Sequence, residues 1–377
     1  MHGSPKNKNP FIRRDRKNGQ RIFLYGVVFS VFLFVVSLLK PTLTDFLNNR
    51  VYDILLSAGM GETSPVPIIV DIDEKSLQQY GQWPWPRYRI AILLEKLSGL
   101  GAQSIGLDMM FAEDDRTSID VIRKELLRDF GVDLGFGEVP HHLRDSDKRL
   151  ADALSRGNVV LGYQFLFEKE TDSENCLLHP LQVNRLGQVR VERDASLFIH
   201  ARSVSCNLKI FSQAAAGSGF FNILPDPDGI LRRVPLIIEH RDRLYPSLAL
   251  ATLMQFLDVN SALLKKDKNG VESLFLNQTA IPLTSKRNML IRFRGKGKTF
   301  DYISAADILS GRIPDGKIRG KIVFVGTSAS GLKELKSTPF DPVFPGVEVH
   351  ATVVDNILKK DFLSRPKWAE GLESLGV

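Results

Sequence analysis

Metal and nucleophile signatures are missing from this chain. It has no CxxC pair, no HExxH, no Ser/His/Asp order, and no internal repeat or low-complexity tract. Those absences remove the familiar zinc sites, thiol redox motifs and triad hydrolases from the readings available. Cysteine is nearly absent too, with Cys176 and Cys206 the whole complement. That excludes a disulfide framework, which a chain of 377 residues does not need for a core. The pair itself is open to two readings: a disulfide formed in an oxidising compartment, or two buried free thiols. Surplus positive charge is scarce everywhere but one place. Seven basic residues (Lys6, Lys8, Arg13, Arg14, Arg16, Lys17, Arg21) and one acid, Asp15, precede Ile22, so this tail carries +6 of the formal +7. The nearly neutral remainder argues against a nucleic-acid partner.

Directly after the tail comes an uncharged apolar run, Ile22 to Leu39, stopped by Lys40-Pro41. As a helix its 18 residues reach roughly 27 Å, close to the hydrocarbon thickness of a bilayer. The residues after it offer no small-x-small cleavage site, so an uncleaved anchor is favoured over a signal peptide. The basic flank keeps residues 1–21 in the cytoplasm and sends everything after Leu39 outside, anchored in the inner (plasma) membrane.

Residues 42–58 place Leu43, Phe46, Leu47, Val51, Ile54 and Leu55 at helical spacing, as a stalk leaving the membrane. The apolar run VPIIVD (66–71) predicts a strand buried on both faces, and 76–80 a short helix ended by Gly81. A clear amphipathic helix spans 88–100, and QSIGLD (103–108) predicts the next strand, its neighbour in a parallel βαβ crossover. Residues 112–147 read as a surface insertion with one helix near 119–130. Further helices are expected at 146–154, 246–257, 304–310 and 346–359, and strands at 159–167, 230–239, 272–276, 289–294 and 320–326. This alternation gives an α/β class with a mixed, largely parallel sheet flanked by helices, preceded by one transmembrane helix.

Four places could carry chemistry. Asp71, Asp73 and Asp108 fall at strand ends, where an open parallel sheet borders its ligand crevice. Three acids there suit a hard cation and a metal-assisted phosphoester hydrolase, although for Asp73 the N-cap of the helix holding Ser76 is the preferred reading, which leaves Asp71 and Asp108 open. Trp83-Pro84-Trp85-Pro86-Arg87 is a stiff connector that presents either an aromatic and anion-binding platform or a lid on the core. Gly326-Thr327-Ser328, after a buried strand, offers amides and hydroxyls to a small ligand, or is a tight turn. The Arg294–Thr299 loop ends in GKT, but position 292 is Arg where a phosphate loop needs glycine, so it is rejected. Asp226-Pro227-Asp228-Gly229 lacks the spacing of a calcium loop and reads as a turn. His350, on an apolar helix, reads as a core or interface histidine. No residue is assigned as catalytic, and no cofactor is expected.

Several stretches together resemble one family, the CHASE2 extracytoplasmic sensory domain. They are IIVDIDEKSLQQYGQWPWPR (from Ile68), SIGLDMMFAE (104–113), DKRLADALSRGNVVLGYQF (147–165), GFFNILPDPDGILRRVPL (219–236), YPSLALA (245–251), GKIVFVGTSASGL (320–332), STPF (337–340) and PGVEVHATVVDNIL (345–358). The likeness implies a sensor domain over 59–363, an unknown small-molecule or protein stimulus, and a homodimer. It also implies further membrane spans, approached by 364–377, and a cytoplasmic adenylate or guanylate cyclase or kinase not encoded in this chain. Lys333-Glu334 departs from the family, where an Asp is usual, and weakens any transfer of a ligand site to that loop. A protein-docking module acting through Trp83 and Trp85 is the remaining alternative.

Overall fold

The structure, a computed structural model, describes residues 10–39, 49–54, 61–133, 144–168, 176–186, 198–267, 270–284, 287–329 and 335–363, with Leu56, Gly135, Val139 and Pro140 besides. The chain forms two compact units, residues 1–58 with 365–377, and residues 59–364. In the first, Pro10–Leu39 is one continuous helix, α1, whose described side chains, 21–35, are all exposed. Among the described residues no helix is long and apolar enough to cross a membrane, and the expected anchor 22–39 extends beyond the described side chains. Of the expected stalk, 49–54 is helical; the rest lies almost wholly outside the described residues, as does the stub 364–377.

The second unit is built on a seven-stranded sheet. Its members in chain order are β1 (Pro67–Ile72), β2 (Ser104–Leu107), β3 (Val159–Leu166), β4 (Ser203–Ser205), β5 (Gly217–Phe220), β6 (Asp301–Ser304) and β7 (Ile322–Thr327). Across the sheet they run β6-β1-β7-β2-β3-β4, with β5 also on β3. All neighbours are parallel except β3 and β4. The expected neighbours β1 and β2 are therefore not adjacent. β7, the last strand in the chain to join this sheet, inserts between them, pairing Ile69 with Phe324 on one side and Leu107 with Val325 on the other. A βαβ unit fixes parallel direction and handedness but leaves room for a later strand between its two members.

The side-chain period of two sorts the central strands into two faces. Ile68, Val70, Ile72, Val323 and Val325 pack with α2 (Glu74–Tyr80), α3 (Arg87–Gly99), α4 (Ser146–Arg156) and α6 (Ala305–Leu309). Ile69 and Phe324 point the other way, onto α5 (Leu248–Phe256) and α7 (Gly346–Leu358). Fully buried parallel strands explain the near-continuous apolar runs in the sequence.

Outside this three-layer frame lie smaller sheets that the sequence showed poorly. The expected strand 230–239 is split into Arg233–Pro235 and Ile237–His240, which pair with different partners. Gln182–Leu186, Ser261–Asp267 and Thr279–Pro282 join Gly270–Leu276 in a four-stranded sheet. The insertion helix Ile119–Phe130 forms where expected and buries none of its residues. Cys176 and Cys206 form a disulfide beside the aromatic cluster of Tyr163, Phe165 and Tyr245, so of the two readings left open it is the paired one the structure holds.

Candidate functional site

From the carboxyl end of β1 the chain leaves to the α2/α3 face; from that of the adjacent β7 it goes to α7 on the opposite face. Neighbouring parallel strands whose connections part in this way open a crevice at their carboxyl ends, the usual ligand position in such sheets. Asp71 lies in register with Gly326 across this point. Gly326 is glycine for a steric reason, since an added Cβ would sit 2.7 Å from the Cβ of Val347 on α7. The backbone of β7 thus touches the start of α7 directly.

Asp71 is buried, and both carboxylate oxygens are occupied: the backbone N–H of Ser328 donates to Oδ1 at 2.9 Å and its hydroxyl donates to Oδ2. Burial pushes the Asp71 carboxyl up, and nearby Asp73 adds to this, while the Ser328 hydrogen bonds and Lys298 pull it back. Thr327, like Ser328, is only partly buried at this strand end, while glycine at 326 lets α7 approach closely. Asp108, after β2, faces His350 of α7, with Nε2 3.5 Å from its Oδ1. That imidazole is 5% exposed, stacks on Phe324, and has no hydrogen-bond partner at Nε2.

Glu348, one turn N-terminal to Thr352, is fully buried and was not picked out from the sequence. It accepts hydrogen bonds from the N–H groups of Lys298 (2.6 Å) and Thr299 (2.9 Å) and from the Tyr302 hydroxyl (2.8 Å). Burial raises its pKa against those three hydrogen bonds, and burial together with Glu348 raises that of Tyr302. A lone acid inside the apolar run GVEVHATVV was the signal that could have found it, since an unpaired buried carboxylate is too costly to persist. The rejected phosphate loop is explained here as well. The amides of Gly297, Lys298 and Thr299 are taken by the protein's own Asp341 and Glu348.

The other expected site residues fall elsewhere. Asp73 caps α2, accepting from Ser76 N (2.8 Å) and Oγ (2.6 Å), and takes a third bond from the Ser304 hydroxyl at 2.9 Å. Among the described residues no three His, Cys, Asp or Glu side chains are grouped to hold a metal ion, so Asp71, Asp73 and Asp108 do not form a metal centre. Trp85 is 1% exposed and donates to Gly81 O at 2.8 Å. The aromatic platform is filled from within: the Arg89 guanidinium lies over Tyr80, Trp85 and Tyr88 at 5.5–5.6 Å. Trp83 is half-buried against the same cluster. Arg87 stacks on Phe111 and ties the 113–115 loop through Glu113 O and Asp115. In the Asp226–Gly229 turn, Arg232 and Arg233 pair with Asp226 and Asp228, leaving an internal ion-pair cluster. At the carboxyl end of β3 there is also a cavity of about 460 Å³, lined by Phe165, Phe167, Phe221 and Ile223 with Glu168 and Lys336 at its polar side.

The Asp71 geometry has a pH consequence. A carboxyl raised by folding contributes stability that is present below its unfolded value and lost as pH rises through its folded one. Asp71→Asn keeps the acceptor for Ser328 N–H and removes the ionisation. The variant is expected to gain stability relative to the parent as pH climbs from the ordinary carboxylate range towards neutrality. Melting curves from pH 4 to 8 check this, and a parent–variant difference that stays flat across the range refutes it.

The CHASE2 domain family matches residues 28–377. The chain belongs to that family, whose members are extracytoplasmic sensory domains. No curated protein and no solved structure matches it.

Proposed function

We propose that this chain is the external sensing part of a membrane-spanning receptor. Ile22–Leu39 is its anchor, the basic tail is cytoplasmic, and residues 59–363 lie outside. The carrying observation is continuity: the family match begins at residue 28, inside the apolar run, and continues through the α/β unit. Stimulus binding belongs at the carboxyl edge of the sheet, where Asp108 faces His350 and Thr327 and Ser328 follow β7 beside the Asp71 network. The output, an adenylate or guanylate cyclase or a kinase, would be carried outside these 377 residues, and receptors of that design work as homodimers. A metal-dependent hydrolase is not favoured, because the three acids it needs are held in separate tasks.

The test is a thermal-shift screen of the purified protein against nucleotides, amino acids, sugars, anions and divalent metals. A ligand at 100 times its dissociation constant should add about 2.7 kcal/mol of stability. A specific shift, lost in His350→Ala but kept in Trp83→Ala, supports the crevice as the stimulus site. No shift across the panel removes the small-molecule reading and leaves a protein stimulus.

A further inference from the structure

α7 is buried from Gly346 to Ile357, and its two ends hold different parts of the domain. Its first turns reach the crevice. Glu348 holds the 298–299 amides and Tyr302, His350 faces Asp108, and Val347 abuts Gly326. Its last turn holds the segments by which the chain runs into and out of the unit. Asp355 accepts from the backbone N–H of Ser64 and pairs with Arg294 Nε at 2.6 Å. Arg294 and Arg292 both pair with Asp361, whose own N–H donates to Asn356 O at 2.9 Å. Lys359 donates to the carbonyl of Glu62. The Asn356 amide grips Arg292 through both N (2.8 Å) and O (3.0 Å). The 291–294 segment therefore continues from this grip into the same 295–299 loop that Glu348 holds, so α7 and this segment connect the two places in parallel.

We propose that α7 is the coupling element of the domain. It transmits displacement at the crevice to residues 61–66 and 359–363 together, about 10 Å further along the helix between Glu348 and Asp355. Packed helices in dense interiors shift as units and do not deform continuously. Because both chain ends are tied to one turn of one helix, they move jointly, which is the motion a receptor with spans before and after the domain requires. The inference rests on the sensor reading for its meaning but not for its test.

The test is native-state hydrogen exchange on the 377-residue chain in detergent, with two small changes at the crevice end. Tyr302→Phe removes one hydroxyl donor to Glu348, and Glu348→Gln removes its charge at constant shape. Either is expected to accelerate exchange at the amides of Ser64 and Asp361 about tenfold, an ordinary size for coupling between sites. Helix α4, on the opposite face of the sheet, should be little changed. Coupling is reciprocal, so Asp361→Asn must accelerate Lys298 and Thr299 in turn. Exchange changes confined to 298–302, or spread uniformly over the unit, overturn the proposal. A silent ligand screen would leave this result standing, whereas failed exchange coupling would remove α7 as the route and leave the sensor reading intact.

Discussion

Arg294→Met is expected to destabilise the 59–364 unit by about 3–5 kcal/mol, the loss typical of breaking a buried ion pair from one side. The guanidinium is 1% exposed and its partner Asp355 is 0% exposed, so truncation strands a carboxylate that has no route to water. Asp361, at 26% exposure, can turn outward and be hydrated, so it contributes less. For a unit of this size the melting temperature should fall by roughly 5–10 °C. The double variant Arg294→Met, Asp355→Leu is expected to recover much of the loss, because a buried pair replaced by apolar side chains of similar volume is often neutral. It should not recover all of it, since the Ser64 N–H loses its acceptor. Equal melting temperatures for the single variant and the parent would show that Asp355 is solvated in solution. Position adds a further expectation: loss of the pair should free residues 61–66 first, visible as proteolytic nicking there before the sheet unfolds.

The elements legible in the sequence are those whose signal is local. Pro67–Ile72, Arg87–Gly99 and Gly346–Leu358 show their period or their continuous apolarity, and their boundaries fall within a residue or two of expectation. Short strands such as Asp301–Ser304 and Arg243–Pro246 carry too few residues for a period, and tertiary packing decides where they form. The same holds for strand order: nothing local in GKIVFVG states that it inserts between β1 and β2. In the candidate site, Asp71 and the Gly326–Ser328 loop were legible because strand ends in a parallel sheet are a positional rule. Glu348 was missed because its role depends on a loop about 50 residues away offering its amides, and Tyr302 because its partner is Glu348, 46 residues further on; both are tertiary facts. Asp73 was legible as the cap of α2 because an Asp just before a helix start is a local signal, and its hydrogen bonds from Ser76 and Ser304 hold it there.

Trp85→Ala is expected to cost about 3–5 kcal/mol, as for other buried aromatic truncations. The indole is nearly inaccessible, packs edge-on to Tyr80 at 6.0 Å between centroids, and bears one face of the Arg89 cation. Its N–H also satisfies the carbonyl of Gly81, whose φ of 89° lets the chain turn out of α2 into the tryptophan loop. Trp85→Phe should fill most of the space and lose that hydrogen bond, and because Gly81 is exposed its carbonyl can take water, so the loss is about 0.5–1.5 kcal/mol. Trp83→Ala, at a half-buried side chain, should be the mildest of the three. That order, read as melting temperatures, follows from burial alone and differs from what a docking platform would give. A platform predicts that Trp83 and Trp85 variants fold as well as the parent and lose binding equally. The internal Arg89 already occupies the position that an external cation would take against these rings, so the aromatic loop works as the clasp between α2 and α3.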